Sequence, residues 1–220
     1  MAQRTIAVIP AYNESEHIAS VVKATQKYVD EVIVVDDGSK DDTSIQAKNA
    51  DLCLRHIVNM GKGLAMRTGF EAAIARKADV VVFIDADGQH KPEDIPKLTK
   101  LLEEKNLDMV SGVRKFDKNM PFVLRFGNWF LVTAFNTMFN SHIHDLSNGF
   151  RAIKTEHYDK IKWLSSGYSV ETEILAKARK NRLKVGEVTI ATIYLNKVKG
   201  TTIFDGINMF FKMCYWRIIG

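Results

Sequence analysis

The sequence is poor in cysteine, and it lacks the features that mark a secreted, disulfide-bonded protein. It has only two cysteines, Cys53 and Cys214, which lie far apart and outside any CxxC motif. Unpaired thiols are typical of a reducing compartment, so the sequence predicts a cytoplasmic protein. The N-terminal stretch MAQRTIAVIPAYNE has only a short apolar run, which predicts a first strand and not a signal peptide.

Several other signals are missing. There is no internal repeat, no low-complexity segment and no GxxxxGK[ST] phosphate loop. No helix-turn-helix, zinc-finger or RNA-binding signature accompanies the basic charge, which argues against a nucleic-acid partner. Residues 121–139 are apolar and aromatic, but Arg125, Asn128 and Asn136 interrupt them, so they are a poor transmembrane span.

Positive charge is concentrated near the C-terminus. Residues 151–220 hold 13 Lys and Arg against 6 Asp and Glu, whereas residues 1–150 hold 18 against 20. A basic third beside a near-neutral body indicates an anionic partner such as phosphate or a lipid headgroup, although a solvated basic face would have the same composition.

Apolar β-forming runs alternate with helical patterns, which predicts an α/β fold with a mostly parallel sheet covered on both faces. The predicted strands cover residues 5–10, 31–36, 52–57, 80–85, 107–112 and 184–190. The predicted helices cover residues 14–28, 41 or 42 to 50, 64–77, 92–105, 121–139, 170–181 and 203–219.

Three polar motifs follow predicted strands: PAYNE, DDGSKDDT and DADGQH. Because ligands of parallel sheets bind at the carboxyl ends of strands, we expect all three motifs at one edge. Asp85 and Asp87 come directly after a buried run, and Gln89 and His90 follow. Carboxylates in this position suit Mg²⁺ or Mn²⁺ and a phosphorylated substrate. The alternative is a pair of solvated loop carboxylates, one of which caps the next helix.

The other two motifs offer groups for a nucleoside. Asp36 or Asp37 could accept hydrogen bonds from a base or a ribose, while the other aspartate serves the turn. Tyr12 offers a ring face to a base, and Glu14 could bind ribose or start the helix. The alternative for PAYNE is a helix-capping loop with Asn13 as the cap.

Basic side chains are candidates for phosphate contacts. Lys62 stands between two glycines at a predicted helix N-terminus, a place where backbone can approach phosphate. The further candidates are Arg67, Arg114, Arg125, Arg151, Lys197 and Lys199. Arg125 is the most unusual of them, since a charge within an apolar helix is costly unless that helix faces water, lipid headgroups or an anion.

Taken in order, IPAYNE, VVDDGSKDDT, NMGKGLAMRTGFEAA, FIDADGQHKPEDI, SGVR, DLSNGFRA and ETEILAKARK resemble the family 2 glycosyltransferases, most closely the polyprenyl- and dolichyl-phosphate sugar synthases. The resemblance implies a GT-A fold, Rossmann-like and with a C-terminal amphipathic helix. It also implies Mg²⁺ or Mn²⁺, a nucleotide-sugar donor (UDP-glucose, UDP-N-acetylglucosamine or GDP-mannose), a polyprenyl or dolichyl phosphate acceptor, and inversion at the sugar carbon. The QxxRW motif of processive polymer synthases is absent.

The resemblance also implies roles for residues. Asp85, Asp87 and Gln89 hold the metal, Arg114 and Arg125 meet the acceptor phosphate, and Asp145 is a candidate base or a structural residue. The residues expected to bind the donor are Pro10, Tyr12, Glu14, Asp36, Asp37, Lys62, Arg67, Asp85, Ala86, Asp87 and Lys197.

We therefore expect one domain, with a nucleotide-sugar-binding half over residues 1–115 and an acceptor-binding half with interfacial helices over residues 116–220. The predicted location is the cytoplasmic face of a membrane, as a peripheral protein. The alternatives are a transferase of the same fold with a soluble or protein-linked acceptor, which a buried 121–139 helix would favour, and a non-catalytic nucleotide-sugar-binding module.

Overall fold

The computed structural model describes residues 3–114, 122–191, 193 and 203–219. Its strands are β1 (Thr5–Ala11), β2 (Glu31–Asp36), β3 (Leu52–Arg55), β4 (Val80–Phe83), β5 (Met109–Arg114), β6 (Arg151–Lys154) and β7 (Val185–Ile190). Its α-helices are α1 (Ile18–Thr25), α2 (Thr43–Gln46), α3 (Lys62–Ala75), α4 (Ile95–Glu104), α5 (Phe122–Phe139), α6 (Tyr158–Ile161), α7 (Val170–Lys180) and α8 (Ile203–Ile218). Single 3₁₀ turns, Pro92–Asp94 and Thr155–His157, precede α4 and α6.

The seven strands form one sheet in the order β3-β2-β1-β4-β6-β5-β7. All neighbours are parallel except β6, which runs antiparallel to both β4 and β5. The mostly parallel α/β sheet is therefore confirmed, but β6 was missed. This strand is four residues long and has a cation at each end, Arg151 and Lys154, so it lacks the apolar run that marks a buried strand.

Helices cover both faces of the sheet, as predicted. Alternate residues of β1 point to opposite sides: Ile6 and Val8 belong to a core packed against α3, α5, α7 and α8. Ala7 and Ile9 belong to a second core packed against α1 and α4. Both faces of the central strands are buried, which explains their continuous apolar sequences.

Two predicted helices are shorter than expected. The helix predicted over 14–28 begins only at Ile18, and the loop before it is held by hydrogen bonds to side chains in and near α2. The N–H of Asn13 donates to Ser39 Oγ and that of Glu14 donates to Thr43 Oγ1, both at 2.9 Å. Asn13 itself has φ 55° and does not cap α1. The helix predicted to reach residue 50 ends at Gln46.

Helix α3 lies unusually close to the sheet at Gly69. A Cβ placed on Gly69 would stand 2.3 Å from Val8 Cγ1 and 3.2 Å from Val35 Cγ2, and both valines are completely buried. The missing side chain therefore sets the distance between α3 and strands β1 and β2, and with it the position of Lys62 at the start of the helix.

We expect Gly69→Ala to lower the free energy of unfolding by about 1–3 kcal/mol, since the added methyl group overpacks a core that cannot move aside. Gly127→Ala is the matched control: Gly127 is also helical, but a Cβ there meets nothing within 4 Å. Because alanine favours a helix over glycine, that variant should gain up to about 1 kcal/mol. Urea denaturation measures both, and equal stability of the two variants would contradict the packing argument.

Candidate functional site

The three polar motifs do meet at one edge of the sheet. Ala11 of β1 pairs with Asp36 of β2, so these two strands end side by side, whereas β4 ends at Phe83 opposite Val8, three residues before the end of β1. The loop before β6 reaches the same edge, because β6 runs in the opposite direction to its neighbours. Residues 145–150 therefore join the strand-end motifs.

Asp36 and Asp37 are both buried and both hold loops in place. Asp36, 0% exposed, accepts hydrogen bonds from the Ser39 N–H (2.9 Å) and from the Ser44 hydroxyl. Asp37, 2% exposed, accepts from the N–H groups of Met60 (2.9 Å) and Gly61 (2.7 Å) and lies 2.7 Å from His56 Nδ1. These contacts fix the loop that leads into α3. The predicted donor contacts of the two aspartates remain predictions.

Tyr12 and Glu14 lie directly beyond β1. Pro10 is buried within the strand, whereas Tyr12 is exposed at the edge and Glu14 is half-buried. An exposed ring beside two ordered turns is accessible to a flat ligand such as a nucleobase.

The centre of the site is a lysine held between two carboxylates. Lys62 Nζ lies 2.7 Å from Asp85 Oδ1 and 2.8 Å from Glu171 Oε1. Lys62 begins α3, Asp85 follows β4, and Glu171 lies in the first turn of α7. The contact therefore joins three elements that are distant in sequence.

The charges of this contact stabilise one another. Burial alone would lower the pKa of Lys62, but Asp85 and Glu171 together raise it well above its ordinary value. Burial likewise opposes ionisation of Asp85, yet Lys62 and His90 hold the pKa of this carboxyl far below its usual range. His90 Nε2 lies 3.3 Å from Asp85 Oδ2, so both oxygens of Asp85 face a cation or a ring nitrogen.

The glycines around Lys62 are required for packing. A Cβ on Gly61 would stand 2.4 Å from the carbonyl oxygen of Ser166, and one on Gly63 would stand 1.9 Å from that of Ser165. The N–H of Gly63 donates to Ser166 O at 2.6 Å. The sequence predicted that phosphate could approach this helix N-terminus. At Gly63 the backbone of residues 165–166 lies in that place instead.

Asp87 differs from Asp85 in its surroundings. Both aspartates are half-buried, but Asp87 Oδ1 accepts only from the N–H of Gln89, at 3.0 Å, within the described residues; Ala86 between the two aspartates is buried. Gly88, at φ 72°, makes the turn. Over the described residues no group of three His, Cys, Asp or Glu side chains converges as a ready metal cage. A carboxylate at a strand end nevertheless fits Mg²⁺ or Mn²⁺, which takes few protein ligands and completes its shell with water and substrate phosphates.

Arg114 and Asp145 form a two-pronged ion pair. Arg114 Nε lies 2.8 Å from Asp145 Oδ2, and its Nη2 lies 2.9 Å from Oδ1. The N–H of Ser147 also donates to Oδ1, at 3.2 Å. With both oxygens engaged, Asp145 is placed as a structural partner of Arg114 and not as a free base.

Two more of the predicted cations, Arg67 and Arg125, lie on helices α3 and α5. Arg67 stands further along α3; the pKa of Glu71 is lowered chiefly by its hydrogen bond from the Tyr158 hydroxyl, and the charge of Arg67 acts in the same direction. Arg125 is exposed at the start of α5. Lys197 lies outside the described residues. Ile193 is anchored at the site, since its N–H donates to Gln89 O at 2.9 Å.

Helices α5 and α8 pack together and expose an apolar surface, which we call the aromatic face. The rings of Phe130 and Phe210 are 5.6 Å apart at the helix contact. The most exposed rings are those of Phe126 (55%), Trp129 (59%) and Phe211 (66%). The full aromatic face comprises Phe126, Trp129, Phe130, Ile207, Phe211, Tyr215 and Ile218. In the part of the chain that the structure describes, no helix is both long and apolar enough to cross a membrane.

Sequence reasoning missed several residues of the site. Glu171 received no role, because a glutamate in the first turn of a helix is ordinary in sequence. Arg151 appeared only as one of several candidate cations, yet it is completely buried, with Nη1 donating to the Glu171 carbonyl oxygen at 2.9 Å. Only the tertiary fold brings these two residues to Lys62.

Comparisons with known proteins agree with this geometry. Residues 6–162 match the family described as Glycosyl transferase family 2. A UDP-N-acetylglucosamine–dolichyl-phosphate N-acetylglucosaminyltransferase of Methanococcus voltae is 34% identical, over 94% of this chain and 93% of its own. A polyprenol monophosphomannose synthase of Mycolicibacterium smegmatis is 30% identical, over 99% of this chain and 88% of its own.

A solved structure confirms the predicted GT-A fold. Glucosyl-3-phosphoglycerate synthase of Mycobacterium tuberculosis, in complex with Mg²⁺ and UDP, superposes with a TM-score of 0.76 at 24% identity, and the match covers 97% of this chain and 80% of that one. The same enzyme has been solved with Mn²⁺ and UDP-glucose.

The contacts of Asp37 predict a structural role. Asp37→Ala should lower the free energy of unfolding by about 2–4 kcal/mol, because the donors of Met60, Gly61 and His56 lose their acceptor. The control is Asp42→Ala, at an exposed position without a capping bond, with an expected change within about 0.5 kcal/mol. A fully stable Asp37→Ala variant that no longer binds nucleotide would contradict this and assign Asp37 to the donor.

Proposed function

The chain belongs to glycosyl transferase family 2, and on that basis we propose that it transfers a hexose from a nucleotide sugar to a polyprenyl or dolichyl phosphate, with inversion at the sugar carbon. The single observation that carries the acceptor assignment is the exposed aromatic face of α5 and α8, and α5 lies in the chain between Arg114 and Asp145. Relatives named for dolichyl phosphate and polyprenol acceptors support it.

In the proposed reaction an oxygen of the acceptor phosphate attacks the anomeric carbon of the donor. The bond from that carbon to the nucleoside diphosphate breaks, and the electron pair leaves with the diphosphate. A phosphate acceptor is already ionised at neutral pH, so the step needs no strong base. The engagement of both Asp145 oxygens by Arg114 and Ser147 agrees with this.

The chain's own residues bind and orient the two anions. Tyr12 and the turns after β1 and β2 bind the nucleoside, and Arg114 and Arg125 bind the acceptor phosphate. The segment with Asp85, Asp87 and Gln89 holds Mg²⁺ or Mn²⁺. When bound, the cation offsets the negative charge of the leaving diphosphate. A UDP-linked sugar, glucose or N-acetylglucosamine, is the preferred donor over GDP-mannose, since the NMGKGLAMRTG segment resembles the UDP-sugar enzymes.

We further propose that the protein lies peripherally on the cytoplasmic face of a membrane, with the aromatic face in the headgroup region. Amphipathic helices that bury aromatic side chains at the interface and present cations to anionic lipids bind in this way. Arg125 and Arg217 are exposed on the same two helices. An acceptor in solution would not require the exposed rings of α5, so the soluble-acceptor alternative is less well supported.

Asp87→Ala should abolish sugar transfer while the thermal unfolding temperature stays close to that of the native protein. Transfer is measured from radiolabelled UDP-glucose, UDP-N-acetylglucosamine and GDP-mannose to a polyprenyl phosphate. Excess EDTA should stop the native enzyme, and Mn²⁺ should restore it. Full activity of the variant, or of the native protein in EDTA, would overturn the metal-dependent reaction.

The second expectation concerns the membrane. The native protein should sediment with vesicles that contain polyprenyl phosphate or anionic phospholipid, and Phe126→Ser/Trp129→Ser should sediment at least about tenfold less, because two exposed rings lose their burial in the interface. Ile45→Ser, which removes an exposed apolar residue after β2, is the control and should sediment normally. Equal sedimentation of both variants would mean that another surface contacts lipid.

A further inference from the structure

Two neighbouring loops expose large apolar side chains that the proposed reaction does not use. Ile57 is 100% exposed and Leu164 is 76% exposed. We call this surface the apolar rim; it comprises Ile57, Val58, Met60, Leu164 and Tyr168, each at least 47% exposed. Loops at a protein surface are usually polar, so a group of exposed apolar residues on two adjoining loops indicates an interaction surface.

The apolar rim lies at the edge of the sheet that carries the site. Strand β3 ends opposite the end of β2, so the loop of residues 56–61 leaves the sheet beside the DDGS motif. The loop of residues 162–169 meets it, because the Gly63 N–H donates to Ser166 O at 2.6 Å. The exposed apolar side chains of both loops therefore belong to one region of the surface.

The loop after β3 is held in place, so its exposed side chains do not result from loose packing. Asp37 accepts hydrogen bonds from two backbone N–H groups of this loop, at 2.9 and 2.7 Å. A Cβ on Gly38 would stand 2.6 Å from the carbonyl carbon of Val58, so the loop backbone lies directly against the turn after β2. The loop thus presents Ile57 to solvent in a fixed position, and burial of that side chain against a partner would be favourable.

The apolar rim adjoins the aromatic face. Lys212 Nζ of α8 donates to Ser169 Oγ at 2.9 Å, and Ser169 directly follows Tyr168 in the chain. Phe211 of the aromatic face directly precedes Lys212. One hydrogen bond therefore links the loop that carries Tyr168 to the helix that carries Phe211, and the two apolar surfaces are neighbours.

The charge around the apolar rim favours an anionic partner. Residues 52–70 and 160–170 contain no aspartate or glutamate, whereas they contain five lysines and arginines. Of these cations, Arg55, Lys160 and Lys162 are exposed. Exposed apolar side chains beside cations suit the headgroup region of an anionic bilayer. A second copy of this chain would bring the same cations to the contact, and like charges repel.

We propose that the apolar rim enters the headgroup region of an anionic bilayer together with the aromatic face, so that the edge of the sheet that carries the site faces the membrane. The inference rests on the proposed function, because it extends the membrane contact proposed for α5 and α8. Two separate contacts fix the orientation of a protein on a surface, whereas a single contact leaves it free to tilt.

The first test measures sedimentation of the full chain with vesicles of phosphatidylcholine and phosphatidylglycerol, which contain no acceptor. Ile57→Ser and Leu164→Ser should each bind at least about threefold more weakly than the native protein, because one apolar side chain no longer enters the interface. Ile74→Ser is the matched control, since Ile74 is also exposed but lies about 18 Å further along α3 than Lys62. Its vesicle affinity should be native, and thermal unfolding shows whether each variant is folded.

The second test detects the contact itself. Leu164→Cys and Ile74→Cys are made in a Cys53→Ser/Cys214→Ser background and labelled with nitrobenzoxadiazole, a dye whose emission depends on its surroundings. When vesicles are added, the dye at residue 164 should emit more strongly and at shorter wavelength, because it leaves water. The dye at residue 74 should not change.

The other outcomes separate this inference from the proposed function. If Phe126→Ser/Trp129→Ser loses vesicle binding but both rim variants keep it, the inference is wrong and the proposed function stands. A native protein that binds no vesicles contradicts the inference and the peripheral location, whereas sugar transfer to polyprenyl phosphate in detergent would still support the reaction. If the native chain is a dimer by light scattering and Ile57→Ser is a monomer with native vesicle binding, the rim joins two copies and the inference is overturned. Should one substitution prevent folding, the variant in the other loop and the dye measurement decide.

Discussion

An ammonium group between two carboxylates joins the parts of the chain that make the site. Lys62 brings α3 to the end of β4 and to the first turn of α7, and all three charges are largely removed from water. Such a contact is costly to break, because removal of one member leaves the others buried without compensation. The positions of the 145–150 loop, the buried Arg151 and the turn of the DADGQ segment all depend on it.

Much of the fold follows from local pattern. The valine and isoleucine runs of β1, β2 and β4 identified their strands and the polar edge beyond them, because strands buried on both faces have no polar alternation. Strand β6 carries no such run. It is held by pairing with β4 and β5 and by the hydrogen bonds that buried Arg151 donates to the carbonyl oxygens of Asn148 and Glu171, and neither influence is visible in a four-residue segment.

The sequence predicted where the site lies better than it predicted the roles of individual residues. Asp36, Asp37, Asp85 and Asp87 all lie at the expected edge, yet the sequence gives no sign that Asp37 holds a loop or that Asp85 is paired. Those differences arise from partners distant in the chain, such as Met60 and Glu171. The two glycines beside Lys62 show the same limit. The motif indicated a phosphate ligand, whereas the structure packs the backbone of Ser165 and Ser166 against the glycines.

The short connection after α5 limits the distance between this helix and the Arg114–Asp145 pair. The chain from Phe139 to Asp145 can extend over at most about 20 Å, so the last turn of α5 and the Arg114–Asp145 pair cannot be further apart than that. This is about half the thickness of a bilayer with its headgroups. In the membrane arrangement proposed above, Phe130 lies about 14 Å from Phe139 along the helix, so an acceptor phosphate at the Arg114–Asp145 pair would bind within roughly 35 Å of the rings that enter the headgroup region.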